Sequence, residues 1–558
     1  MNSNGHDESK VGSADVIIVG AGHNGLVAAC YLAKAGLDVL VLEASPVIGG
    51  MTATNPIISG APDHQINEGS IQASLFRASS IEWDLDLARY GLRQIRIDPP
   101  HAHLDPDGAS FAMWDDPARC AEELRRFSRR DAEAWVRLSR TLAGVMDIVL
   151  PYMLTHPTRP SLSNVLRALH GAGRNVRQLG EIARLFQISL AEAIDERFEH
   201  PLPKAVLASL TGFHHMTQDG SGWALVYLGL CQRVGSSRFI GGSAALPHAL
   251  ERCLTDHRGR VRTSAKVEAL TMAGGRVTGV RLTGGQELRA RAVVTTCSPK
   301  TTLTRLLPKD ALPEHLAVRA RHIPTTVTEA SALKIDVALR GRLSLGEHQR
   351  RRHDNLDLRL PINTWSTFED YLAAWDALAA RRWPSPIPYI ATVPTAADPS
   401  QAPEGMDTLW LYSGLAPIQP DRPWDEVRDE IASAVIVDAA RYYDGIEELE
   451  IGRSVIAAPD IQERFNAIDG NVYHISPVPQ RTGPGRPTAG LASYSTPIDG
   501  LFLSGAGTHP SAGISGINGE QAARAVLRDL KDRSRGLSST LRIRPSRNTC
   551  SENTLTVT

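Results

Sequence analysis

Two apolar runs, Val16-Ile17-Ile18-Val19 and Val39-Leu40-Val41-Leu42, flank the stretch that could do chemistry. The first runs straight into Gly20-Ala21-Gly22-His23-Asn24-Gly25, and the second ends on Glu43. These residue types at this spacing make a dinucleotide site. Gly20 allows the tight turn, Gly22 lets backbone approach a pyrophosphate, and Gly25 lets a helix pack close to the strand. Asn24 lies in the same turn and is counted among the cofactor-binding residues. A helix starting here points free N–H groups and a positive dipole end at phosphates. Glu43 is placed to accept hydrogen bonds from ribose hydroxyls. A glycine turn without a ligand would need neither the register nor the acid.

The elements that must hold these residues follow from periodicity. Residues 15–43 read as strand, glycine turn, alanine-rich helix, strand, acid. Gly49 and Gly50 follow, a doublet that can bring backbone close to a cofactor but alone is merely a turn. Residues 118–230 carry helical periodicity, as in 118–142 and 179–194, with proline-rich breaks at 151–160 and 201–203. This block reads as a helical insertion that walls a cleft. An α/β pattern returns with Gly241-Gly242-Ser243 ahead of a helix over 244–254. Short strands follow at 261–263, 266–270, 277–282 and 287–290, turned by glycine doublets as hairpins. Residues 292–296 form a fully apolar strand that rejoins the central sheet. Strands at 333–339 and 408–414 and a helix over 422–443 make a second layer. The run 500–507 is a strand entering a glycine turn, and a helix over 518–530 follows.

The whole chain bounds the function. Its 558 residues hold two or more domains. The balance of 60 basic and 61 acidic residues points to no nucleic-acid partner. Six scattered cysteines form no CxxC pair, so neither zinc nor a disulfide framework is supported, and a reducing, cytoplasmic compartment fits. There is no GxSxG elbow, HExxH site or metal-ligand cluster. No apolar run approaches the ~18 residues needed to span a bilayer. The longest apolar patch, 142–154, is broken by Pro151. It reads as a buried or cap helix, with a membrane-surface helix or a substrate gateway as the alternative. Residues 1–13 read as a disordered lead-in without a secretory signal, and 534–558 as a disordered tail. The organisation is therefore a Rossmann-type part (14–117), a helical cap (118–240), returning strands (241–330), a substrate layer (331–480) and a last cofactor part (481–533). Oligomeric state is not encoded in any pattern here.

The quoted motifs VIIVGAGHNGLVAACYLAKAG, VLEASPVIGG, RFIGGSAALPHALERCL, VRTSAKVEALTMAGGRVTGVRL and IDGLFLSGAGTHPSAGISGINGEQAARAVL carry a resemblance. The chain resembles the phytoene-desaturase-like FAD oxidoreductases. That group includes carotenoid desaturases, retinol saturase and the pyridine nucleotide-disulphide oxidoreductase domain-containing protein 2 group. It lies in the amine-oxidase/phytoene-desaturase branch of the glutathione-reductase-like α/β superfamily. The resemblance covers most of residues 14–532 and is weakest in the helical block. It implies FAD at the first glycine motif. By position, Gly20, Gly22 and Gly25 would hold the pyrophosphate and Glu43 the adenosine ribose. Gly49 and Gly50 would lie near the phosphates and ribityl chain. Val267 would meet the adenine through its backbone. Gly505 and Ala506 would sit by the pyrophosphate and ribityl chain. Residues 513–517, with Gly513, Ile514 and Ile517, would present a helix N-terminus to the flavin, where it stabilises the charge of the reduced ring. Relatives commonly show HPGGG where this chain has His509-Pro510-Ser511-Ala512-Gly513. FAD should still bind, with a changed substrate contact or a tilted flavin.

Hydride transfer from an alcohol or amine benefits from a base, and the chain offers His214-His215, His474 and His509. His509 lies in the flavin-side loop, and His474 faces the substrate cavity by resemblance. For each, a satisfied structural histidine is the competing reading. The leading function is FAD-dependent dehydrogenation or desaturation of a largely apolar small molecule, with oxygen, a quinone or another carrier as electron acceptor. A flavin amine oxidase is the first alternative, and a non-catalytic escort protein on the same fold is the second.

Overall fold

The computed structural model describes residues 13–211, 215–326 and 330–540. His214, the lead-in over 1–12 and the tail over 541–558 lie outside the described residues.

The strands Ser13–Val19 and Val39–Leu42 are parallel, with Val16 opposite Val39. Their apolar runs are buried because helices cover the sheet. The helix His23–Lys34 connects them, and the last helix, Ile517–Thr540, packs beside it. On the other side of Ser13–Val19 lies Glu287–Thr295, also parallel, with Val16 opposite Ala292. Leu501–Leu503 adds parallel to the end of that strand. The antiparallel strands Val267–Ala273 and Arg276–Leu282 complete that side of the sheet, and Arg260–Arg262 completes the other. Sequence periodicity predicts two strands at 287–290 and 292–296, and the structure makes them one. Its first half alternates exposed and buried against the hairpin, and its second half is buried against Ser13–Val19.

A second sheet runs in the order Glu450–Ile456, Ala330–Leu339, Asp407–Pro417, Ile390–Thr392, Ile362–Thr364, His101–Leu104, Ser110–Met113. Its last two strands correct the expected boundary at residue 117. They belong to the substrate layer, because Ile362–Thr364 offers a free edge on which His101 pairs with Ile362. Strand pairing is indifferent to distance along the chain.

The helical cap packs on this sheet through Trp135, Leu142 and Phe198, with Trp375 of the helix Phe368–Ala379 in the same core. Its longest helix, Arg129–Met153, is capped by Ser128 and continues through Pro151 instead of breaking there. The proline sits near the helix end, where only the Asp147 carbonyl loses its partner. The helix expected over 422–443 spans Trp424–Ala439, with Pro423 at its N-cap. The last helix outruns its expected end near residue 530 and extends into 534–540, assigned to the tail. Past the apolar face it is supported by same-face pairs such as Asp529–Arg533, which need no apolar periodicity.

Candidate functional site

The site lies at the carboxyl ends of Ser13–Val19, Val39–Leu42 and Glu287–Thr295, where the strand order reverses. Gly20 has φ +104°, and a Cβ there would collide with the Thr296 hydroxyl. A Cβ on Gly25 would collide with the Gly20 carbonyl. These two glycines are therefore required by the protein's own packing. Gly22 is not. Its backbone is ordinary extended chain, φ −66°, and a Cβ would meet nothing nearer than the Gly49 carbonyl at 3.9 Å. No side chain caps the helix that starts here. An unneeded glycine before uncapped N–H groups fits a pyrophosphate held against the backbone.

Glu43 braces this loop. Its carboxylate accepts from the Ala21 N–H at 2.7 Å and the Ser45 N–H at 2.9 Å, which leaves lone pairs for a ribose. Gly49 donates to the Ala21 carbonyl at 2.9 Å, and a Cβ on Gly50 would lie 3.5 Å from Gly22. The two glycine loops thus touch. Ala265 donates to the Glu43 carbonyl at 2.7 Å, which sets Val267, two residues on, beside the same end of the sheet.

The last loop closes the site. A Cβ on Gly519 would collide with the Asn24 carbonyl, so the first and last helices start side by side. Asn24 is buried, and its Oδ1 has no partner. His23 is held down to about 4 by burial and bonds to backbone at Gly513. The Asn518 amide pins the loop, donating to the carbonyls of Gly505 at 3.0 Å, Thr508 at 3.1 Å and Ser511 at 3.3 Å. Ile514 and Ile517 bury their side chains in the core, so only their backbone can meet a cofactor. Ser511, at the departure from the family pattern, has φ +141°, a conformation that suits glycine. Buried, partnerless oxygens on Ser504 and Ser511 belong to the same loop.

His509 is buried. Its Nε2 lies 3.2 Å from the Tyr152 carbonyl, its ring packs 5.2 Å from the Tyr152 ring, and its Nδ1 is buried without a partner. His474 is half-buried, holds φ +62° and also has a buried Nδ1 without a partner. Burial holds both imidazoles down to about 4, and the Arg486 guanidinium pushes the same way. Both are neutral at physiological pH, with Nδ1 as an open acceptor on His509 if Nε2 carries the proton. His215, in the cap, stacks at 5.1 Å on Trp375 of the substrate layer.

Sequence reasoning missed the groups that join these parts. Arg486 is buried and spans both histidine segments through carbonyls. Met51, Tyr412, Val472 and Tyr473 pack against one small buried cluster, while Ile71, Trp410 and Ile362 form another that Tyr412 also touches. Lys334 is buried, ion-paired to Asp336 and 6.0 Å from the Trp410 ring. Glu68 pairs with Arg464 close by. Burial lowers Lys334 and raises Asp336 to about 6. Lys334 and Asp336, two charges on one face of the fully buried strand Ala330–Leu339, were the visible signal. Arg486 had none.

A family model for flavin containing amine oxidoreductases matches residues 172–527, and one for an NAD(P)-binding Rossmann-like domain matches residues 18–80. The chain is 29% identical to pyridine nucleotide-disulfide oxidoreductase domain-containing protein 2 of Rattus norvegicus, over 93% of this chain and 94% of that protein. It is 25% identical to a limonene dehydrogenase subunit of Castellaniella defragrans, over 94% and 96%. Cyclohexylamine oxidase from Brevibacterium oxydans shares the fold, with a TM-score of 0.57 at 18% identity over 93% of this chain and 99% of that one.

Proposed function

The chain belongs to the flavin-containing amine oxidoreductase family, and within it we propose a dehydrogenase or desaturase acting on a largely apolar small molecule. The protein is an FAD-dependent oxidoreductase. When bound, FAD supplies the hydride acceptor, and the chain supplies position, charge and exclusion of water.

The substrate reading is supported by the apolar and aromatic packing next to the Gly49-Gly50 loop, where Tyr412 and Tyr473 share a cluster with Met51 and Ile71 and Trp410 form the one beside it. The charged groups behind it, Lys334 with Asp336 and Glu68 with Arg464, neutralise each other in pairs. They offer little to a charged substrate. A relative named as a limonene dehydrogenase subunit supports an isoprenoid or similar lipophilic metabolite as the leading class. Electrons would leave to oxygen, a quinone or another carrier. No nucleic-acid partner enters this reading.

His509 and His474 would lie nearest the reacting carbon. Each keeps a neutral imidazole with a buried, partnerless Nδ1, which fits either proton acceptance or orientation of the substrate. Following flavin bleaching with a panel of lipophilic alcohols, terpenes and polyenes tests the substrate class. At least one of His509→Ala and His474→Ala should keep FAD and slow bleaching on the order of 10²-fold. Wild-type rates in both would remove the histidines from the reaction.

An amine substrate is the second reading, favoured by the family. Trp410 and Tyr412 stack on one another at 5.5 Å and 11°, which leaves no slot between them for an amine. Rapid bleaching by amines alone would reverse the order of the two readings.

A further inference from the structure

The helix Leu162–Arg174 turns its leucines outward. Its inner face is small. Gly171 lies against the Asp147 carbonyl, where a Cβ would stand 2.5 Å away. That carbonyl is the one Pro151, four residues on, cannot bond. Asn175 completes the attachment, its amide donating to the Gly171 carbonyl at 2.8 Å and to the Asp147 carboxylate at 3.3 Å.

The outer face carries Leu162, Leu166 and Leu169, exposed by 74%, 56% and 63%, at the spacing that aligns them along one side. Single exposed leucines need no account, but a stripe along one helix does. The Asp147 carboxylate beneath it is paired with Arg233 at 3.1 Å, and the charges on the helix and its flanks have one sign. Arg159, Arg167, Arg174 and Arg177 lie in or beside the helix, and the chain has no Asp or Glu between Asp147 and Glu181. None of these arginines makes an ion pair among the described residues. Arg528 of the last helix adds a further cation near Arg159.

The stripe follows the segment that carries Tyr152 and His156 toward the candidate active site. Tyr152 packs on His509, and His156 bonds to the Ser493 carbonyl at 3.2 Å just before the helix starts.

We propose that this helix docks the enzyme on an anionic lipid bilayer, with the leucines among the acyl chains and the arginines on the headgroups. The one-signed charge selects an anionic partner. A protruding helix with an apolar stripe edged by arginines is the form that lies in a bilayer interface. Docking would set the cap end of the substrate cavity against the membrane. That purpose rests on the apolar-substrate reading, whereas the docking does not.

The test is co-sedimentation of the FAD-loaded protein with vesicles, with no substrate present. Wild type should bind vesicles of phosphatidylcholine mixed with phosphatidylglycerol, lose binding as salt rises, and bind phosphatidylcholine alone weakly. Leu166→Asp/Leu169→Asp should bind the mixed vesicles at least ~10-fold more weakly. FAD content, melting temperature and elution volume should be unchanged, since both leucines are exposed. Arg167→Gln/Arg174→Gln should remove much of the salt dependence. The proposal is overturned if wild type ignores the mixed vesicles or if the leucine variant binds them as wild type does. It is also overturned if the leucine change dissociates an oligomer, because the stripe would then face protein. None of these readouts depends on which substrate bleaches the flavin, so docking and substrate class fail separately.

Discussion

Arg486 reaches the Ala506 carbonyl at 2.6 Å from the Nη2 that also donates to the Tyr473 carbonyl at 2.8 Å. The same guanidinium donates to the carbonyls of Thr508 at 3.1 Å and Arg481 at 3.3 Å. One buried cation therefore ties the segment before His474 to the loop before His509. It does so through carbonyl dipoles, and burial lowers it to about 9.

Arg486→Lys should loosen both histidine segments together. An ammonium is a compact donor and cannot span four carbonyls that a planar fork reaches. Each buried carbonyl left unpaired costs about 1–3 kcal/mol, so the melting temperature should fall and FAD should be retained less well. Unchanged melting and unchanged flavin content would show that the carbonyls find other donors.

Gly22→Val and Gly20→Val should fail in different ways. Gly22 has room for a Cβ within the protein, so Gly22→Val should fold with normal circular dichroism and purify without colour. Gly20 has φ +104° and a Thr296 contact that leaves no room, so Gly20→Val should not accumulate as folded protein. A yellow Gly22→Val protein would remove the pyrophosphate from that position.

Ser511→Gly should stabilise the protein. Ser511 holds φ +141°, and relief of such backbone strain is worth about 1–3 kcal/mol. The melting temperature should rise, with FAD retained. A drop would mean that the Ser511 hydroxyl makes a contact with the bound cofactor that outweighs the strain.

Stability should fall on acidification. His23, His474 and His509 are held down to about 4, and His101 and His103 to about 3, from an ordinary value of 6.5. Between 6.5 and about 4 the unfolded chain binds more protons than the folded one, so stability rises with pH across that window and is lost as pH falls through it. Melting temperature should be level above about 7 and drop below 6.5. His509→Gln should flatten the curve, its histidine accounting for a difference on the order of 3 kcal/mol. A pH-independent melting temperature down to the acid end of that window would contradict the burial of these rings in neutral form.

NADH and NADPH should not reduce the flavin rapidly. The strand Glu287–Thr295 runs into Thr296-Cys297-Ser298-Pro299, and the Thr296 hydroxyl bonds to the Val19 carbonyl at 2.9 Å. The chain carries no second glycine fingerprint there. Stopped-flow mixing that gave fast, saturable bleaching by either nucleotide would reveal a site of another kind.

The sequence alone determined the first glycine loop, its helix, Glu43 and the class of cofactor. All of these lie within one contiguous unit whose turn chemistry and periodicity are local. It also determined the last strand and glycine loop, and the oddity at Ser511, for the same reason. Tertiary structure alone decided that residues 101–113 join the second sheet, that Thr296 fills the space beside Gly20 and Gly25, and that Arg486 couples His474 to His509. It also decided which glycines the protein's own packing requires. Residues far apart in the chain make these contacts, and side-chain periodicity carries no record of which distant backbone a buried cation or an open strand edge will meet.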